Sequence, residues 1–204
     1  MNLAQVLRTA PDAPSAFQSA GQRSAELYAD ILAVAPGGDG RVDIEAVQSR
    51  PSILRRTAAL LSEALPPGTD RLVCAGPDGI AVTTALALHT GLPFATVTGG
   101  TGGGDEARLT GEAHAGEHTV VVVPLVGTAQ DAAPPVLAAR KAGMRVSGVL
   151  SVLDSSDGSG GSSVADVLQE RYDVRFHALF SAFPALPALP AFSTTTDKKE
   201  VDPR

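Results

Sequence analysis

Several stretches of the chain hold residues whose type and spacing could do chemistry. Gly99-Gly100-Thr101-Gly102-Gly103-Gly104 has the glycine density of a loop that wraps phosphate in backbone N–H groups. The Gly99…Gly104 spacing suits a P-loop, but Asp105 stands where that motif places its phosphate-binding lysine. No three glycines fall at i, i+2 and i+5, which excludes a dinucleotide fingerprint. The stretch reads as a flexible loop. His114-Ala115-Gly116-Glu117-His118 spells H-x-x-E-H, the inverted zinc-protease pattern. That chemistry needs one helical turn to present both histidines and the glutamate. Gly116 interrupts such a turn, and Thr119-Val120-Val121 directly after it is strand sequence. These residues read as a solvated turn ahead of a strand, with no metal site. Cys74 has no Cys or His at ligand spacing and reads as a small buried apolar residue.

The elements that must hold such loops follow from the apolar pattern. Pro51-Ser52-Ile53-Leu54 opens a helix whose Ile53, Leu60, Leu61 and Leu65 share a face, and Pro66-Pro67-Gly68 stops it. Residues 71–75 read as a buried strand, followed by the turn Gly76-Pro77-Asp78-Gly79 and a helix over 80–89 closed by Gly91. Residues 94–97 form the next strand and lead into the loop 98–106. Val120-Val121-Val122-Val123 is a wholly apolar run of the kind central parallel strands show. A helix over 131–142 follows, with Gly143 just past its end. Then come a strand over 146–153, a polar loop over 154–163, a helix over 164–171 and a strand over 174–180. This alternation predicts an α/β fold with a mainly parallel open sheet and helices on both faces. Such sheets bind ligands beyond the carboxyl ends of their strands. The loops to interrogate are therefore 76–79, 98–106, 124–131 and 154–163. Residues 1–45 are less regular and predict a small N-terminal hood over that edge, within one domain spanning 1–182.

Composition removes several function classes. The chain has 204 residues, 44% of them hydrophobic and 19% charged, enough for one sizeable core. Sixteen Lys and Arg against 22 Asp and Glu give a net charge of −6. Nucleic-acid binding needs clustered cations, and none cluster here. No apolar run approaches the roughly 20 residues that span a bilayer, so no membrane association is expected. The single cysteine cannot form an internal disulfide, and residues 1–22 lack the apolar segment of a signal peptide. Both point to the cytoplasm.

The order of the loop motifs resembles a family. Residues 19–182 are similar to orotate phosphoribosyltransferases, of the type I phosphoribosyltransferase group. Gly21-Gln22-Arg23-Ser24 with Tyr28 and Asp30 looks like that family's substrate-side hood segment. Ala75-Gly76-Pro77-Asp78-Gly79-Ile80 looks like its pyrophosphate loop. Thr110-Gly111-Glu112 and Gly116-Glu117-His118-Thr119, leading into the valine run, look like the approach to its phosphoribosyl-diphosphate motif. Ala142-Gly143-Met144-Arg145-Val146-Ser147-Gly148-Val149 looks like the helix end and strand that follow. The resemblance implies a glycosyltransferase of pyrimidine nucleotide metabolism. Such an enzyme joins orotate to 5-phosphoribosyl 1-diphosphate with Mg²⁺, giving orotidine monophosphate and pyrophosphate.

The residues that carry that chemistry are changed. Where the family has two adjacent acids for the ribose hydroxyls, this chain has Pro124 and Leu125, which neither accept a hydrogen bond nor offset positive charge. The family's phosphate turn becomes Gly127-Thr128-Ala129-Gln130-Asp131, with a carboxylate where a dianionic phosphate would sit. Asp131 also suits the positive end of a helix dipole, as a cap. The loop 98–106 has no cation for the leaving group. The family's orotate-binding Arg follows an Asp, but here Ser155 follows Asp154. The expectation is a non-catalytic phosphoribosyltransferase-fold protein, a pseudoenzyme with a ligand-binding or regulatory role. It has no certain cofactor, Mg²⁺ entering only if transfer is retained. The alternative is a divergent transferase, or another enzyme, recruiting Arg23, Tyr28, Thr128, Gln130, Asp131 and Asp154. With Gly76, Pro77, Asp78, Gly79 and Ala129 these are the candidate ligand-binding residues. A nucleotide or other small molecule is the expected ligand, and a homodimer the expected assembly.

Beyond the domain, residues 183–204 form a proline-rich tail. In Phe183-Pro184-Ala185-Leu186-Pro187-Ala188-Leu189-Pro190-Ala191-Phe192 the prolines recur every third residue, and so do Phe183, Leu186, Leu189 and Phe192. A polyproline II helix has three residues per turn, which aligns those apolar side chains along one edge. The pattern predicts a strip that docks on the body of the protein or on a second subunit.

Overall fold

The computed structural model describes residues 18–35, 42–100, 106–156 and 162–181. The proline-rich tail, most of the glycine-rich loop and the first part of the hood lie outside these residues. The described elements, in chain order, begin with helices α1 (Ala20–Val34), α2 (Ile44–Gln48) and α3 (Pro51–Glu63). Next come β1 (Arg71–Cys74), α4 (Ile80–Thr90), β2 (Phe94–Thr98), β3 (Arg108–Thr110) and β4 (His118–Val126). The last are α5 (Ala129–Lys141), β5 (Arg145–Asp154), α6 (Val164–Tyr172) and β6 (Arg175–Ser181). One six-stranded sheet has the order β3-β2-β1-β4-β5-β6, parallel throughout except for the antiparallel β2–β3 pair. The α/β expectation therefore holds.

Each face of the sheet carries its own core. On one side Leu27 and Ile31 of α1, Ile53 and Leu61 of α3, and Val82 and Leu86 of α4 pack with Leu72, Val120 and Leu150 of the strands. On the other, Val136 and Ala139 of α5 and Leu168 of α6 pack with Val73, Val121 and Val149. Alternation along β1 and β4 divides their side chains between the two cores, so both strands read as continuous apolar runs.

Two expectations need correction, and one strand was not expected. The hood contains a regular helix rather than an irregular flap: α1 opens on a capping box between Ser19 and Gln22, and Leu27 and Ile31 are completely buried. Burial of this kind contributes about 1.5–3 kcal/mol per side chain, so α1 belongs to the core. Residues 108–110 form a strand, β3, that pairs Val97 with Leu109 at the sheet edge. The valine run extends through Pro124 to Val126, giving a nine-residue strand. Proline is tolerated there because β1 is shorter. The Ala75 N–H donates to the Val122 carbonyl at 3.1 Å, and Pro124 faces the same side two residues on, past the end of β1. Its missing N–H removes no ladder bond.

Candidate functional site

Parallel strands bring the loops after β1, β4 and β5 to one edge of the sheet, and these three strands are neighbours. Residues 76–79, 127–131 and 154–156 therefore adjoin one another, as the motif order requires. The turn after β1 is held against β4. Gly76 has φ +80, and a Cβ on Gly79 would lie 3.0 Å from Cys74 Sγ and 3.6 Å from Pro124 Cδ. Only glycine allows the turn to settle this closely on the strand. The Cys74 thiol donates to the Gly76 carbonyl at 3.1 Å, and burial pushes its pKa up. It is a structural thiol, as its buried position requires. Pro77 and Asp78 stand exposed at the rim.

At the next loop, α5 begins at Ala129 with Thr128 as its N-cap. Asp131 is its third residue rather than the cap itself, a correction to its expected place. One carboxylate oxygen, Oδ2, accepts from the Gly127 N–H and the Thr128 N–H, both at 2.9 Å, and lies 3.5 Å from the Thr128 hydroxyl. Two convergent N–H groups at the entry to the helix, of the kind that bind anions, are thus directed at a side chain of the same chain. Ala129 is half-buried and Gln130 exposed beside them. Ser155 lies against this turn, where a Cβ on Gly127 would meet its Oγ at 3.5 Å. Asp154 accepts from the Ser156 N–H at 2.9 Å. Three carboxylates, Asp78, Asp131 and Asp154, line the three loops, and these loops contain no Lys or Arg.

Two candidates from the hood are engaged elsewhere. Arg23 donates to Glu63 at 2.9 Å and to the Gln18 carbonyl at 3.1 Å, bracing α1 against the end of α3. The Tyr28 ring packs on Phe180 of β6 with centroids 5.0 Å apart. Pro124 is buried and Leu125 half-buried within β4, so the positions that correspond to the family's acids sit in the strand.

The H-x-x-E-H stretch precedes β4 as a turn, but Glu117 is not merely solvated. It forms a two-pronged pair with Arg71, at 2.8 and 3.1 Å. That bond, aided by the His114 N–H at 3.0 Å, holds the Glu117 carboxyl down at about 2. The pair ties the entry of β1 to that of β4. Among the described residues no group of His, Cys, Asp or Glu could hold a metal ion. With Asp131 and Asp154 bonded to backbone N–H groups and no acid at 124 or 125, the loops do not suit Mg²⁺. A cleft of about 910 Å³ lies between β2–β3 and the last turns of α5, lined by Thr98, Arg108 and Lys141 among others. Lys141 is bound to Glu106 at 2.5 Å. These cations lie just outside the 98–106 loop and escaped the reading of that loop alone.

This backbone is shared with known enzymes. Orotate phosphoribosyltransferase of Mycobacterium tuberculosis superposes with a TM-score of 0.64 at 18% identity, over 78% of this chain and 96% of that one. A phosphoribosyltransferase of Corynebacterium diphtheriae gives 0.63 at 22% identity, over 78% and 95%. Orotate phosphoribosyltransferase of Aeropyrum pernix gives 0.62 at 21%, over 77% and 92%. At these identities the likeness establishes the type I phosphoribosyltransferase fold. No protein-family model matches the chain, and no curated protein does.

Proposed function

We propose that this chain uses a phosphoribosyltransferase frame without the transfer reaction, as a ligand-binding or regulatory protein. The reading rests above all on Asp131. The mycobacterial neighbour has been solved with 5-phosphoribosyl 1-diphosphate and with inorganic phosphate. In the turn that resembles the family's phosphate site, the Asp131 carboxylate holds the Gly127 and Thr128 N–H groups at 2.9 Å. A tethered carboxylate competes with any free anion, and repels it, at the one place where a phosphate would gain most. Pro124 and Leu125 offer nothing to a cationic sugar, and the acidic rim gives a pyrophosphate no counter-charge.

Purified protein supplied with orotate, phosphoribosyl diphosphate and Mg²⁺ should form no orotidine monophosphate. Restoring the acids alone, Pro124→Glu with Leu125→Asp, should leave it inactive, because Asp131 still fills the turn. Turnover by the unmodified protein on the order of 1–10³ per second overturns the proposal. Thermal shift against orotate, phosphoribosyl diphosphate and a nucleotide panel then identifies what the site does hold, since a ligand of the native state raises apparent stability.

A further inference from the structure

Away from that edge, α3 and α4 enclose a groove of about 620 Å³ whose lining includes Leu54 and Ala58 on one side and Ala81, Ala85 and Leu88 on the other. α4 carries apolar side chains on both its inner and its outer side, and Arg55, Thr84 and His89 are the polar residues of the groove's lining. Val82 and Leu86 face the core, while Leu88 on the outer side is 82% exposed and Ile80 is 45% exposed. A helix with large apolar side chains on opposite sides is normally covered on both. We infer that residues 183–192 of the same chain cover this groove, laying their apolar edge between α3 and α4.

Length, position and phase support this occupant. The groove follows α4 from Ala81 to His89, about 12 Å at 1.5 Å per residue. One turn of polyproline II advances about 9.3 Å. Two successive apolar residues of the strip, Leu189 and Phe192, therefore fit one groove, with Ala58, Ala81 and Ala85 leaving room between the walls of Leu54 and Leu88. Ala81 lies at the first turn of α4, so the groove opens at the strands' carboxyl edge. β6 ends at Ser181 on that same edge. α3 and α4 lie over the middle strands, roughly 20 Å from there by strand and layer spacings. Leu189 and Phe192 follow Ser181 by about 25 and 34 Å of extended polyproline. The tail reaches its own groove without strain.

Nitrogen-15 relaxation on the full chain tests this, with light scattering for mass. Docking predicts order parameters at the Leu189 and Phe192 amides near the body's about 0.85, falling below about 0.6 in Leu88→Asp with unchanged mass. Leu88 is exposed, so that substitution leaves the fold intact. Low order parameters in the unmodified protein make the tail a linker and overturn the inference. So does order that survives Leu88→Asp, which places the tail elsewhere. A mass that halves in Leu88→Asp gives the groove to a second copy, and overturns it equally.

Discussion

Two helices of this protein start with a hydroxyl residue and an aspartate three residues on, and use them differently. At α6, Ser163 and Asp166 form a reciprocal capping box. The Asp166 N–H donates to the Ser163 hydroxyl oxygen at 3.1 Å, and the Asp166 carboxylate accepts from the Ser163 N–H at 3.1 Å. At α5, Thr128 and Asp131 form the same capping box, and the Asp131 carboxylate reaches one residue further out to take the Gly127 N–H as well. Asp166 closes a helix end. Asp131 closes a helix end and a cradle of N–H groups beyond it. The difference teaches that the identity of a capping residue says little about a site. What matters is how many outward N–H groups its carboxylate withdraws from other anions.

The comparison needs a yardstick, and Glu117 supplies the largest effect. Its carboxylate meets a buried cation as well as the His114 N–H, so Glu117→Gln should lower stability by about 1.5–3 kcal/mol in denaturant titrations. Its folded pKa of about 2 lies below the ordinary 4.5, so its contribution is complete above pH 4.5. That contribution is lost as pH falls through about 2. In the variant the acid limb of the stability curve should flatten over that window. A loss smaller than that of either cap would mean that Arg71 is satisfied without it.

Next in size, Asp131→Ala and Asp166→Ala should each cost about 0.3–1 kcal/mol, the usual loss for an acid in a helix's first turn. They should part company in calorimetry with inorganic phosphate, where only Asp131→Ala gains measurable heat of binding. Equal behaviour would erase the distinction between the two helix ends. The smallest change should come from Asp131→Asn. Asparagine keeps an acceptor in the same place and caps about as well, so stability should move by under about 0.5 kcal/mol and phosphate should stay out. Phosphate binding to this variant would show that charge, rather than occupancy, does the excluding.

The strands and helices that make both cores were legible because periodicity is a local signal: Val120 to Val123 and the 51–63 helix declare themselves within a few residues. α1 was equally available, since Ser19 and Gln22 stand at capping-box spacing and Leu27 and Ile31 at i, i+4. β3 was not, because three residues with only Leu109 turned inward carry too little pattern. The edge loops were placed correctly by strand order. Their hydrogen bonds were not, because the choice between a simple cap and a filled cradle turns on backbone geometry at Gly127. The partner of Glu117 lies 46 residues away, where no local motif points. For the same reason a zinc-like spelling concealed a structural ion pair.

The sheet order also says something about how such a chain comes together. β4 and β5 join residues 28 apart, as between Thr119 and Ser147, whereas β1 and β4 join residues 48 apart, as between Arg71 and Thr119. β1 with β2 and β4 with β5 and β6 thus form two locally wound halves that meet along a single seam. Closing longer loops is entropically dearer and slower, which favours winding each half before the seam zips shut. The turn at 76–79 belongs to the first half, and the loops at 127–131 and 154–156 belong to the second. The cleft is therefore created only when the halves join, and Arg71 with Glu117 is the latch at the opposite end of that seam.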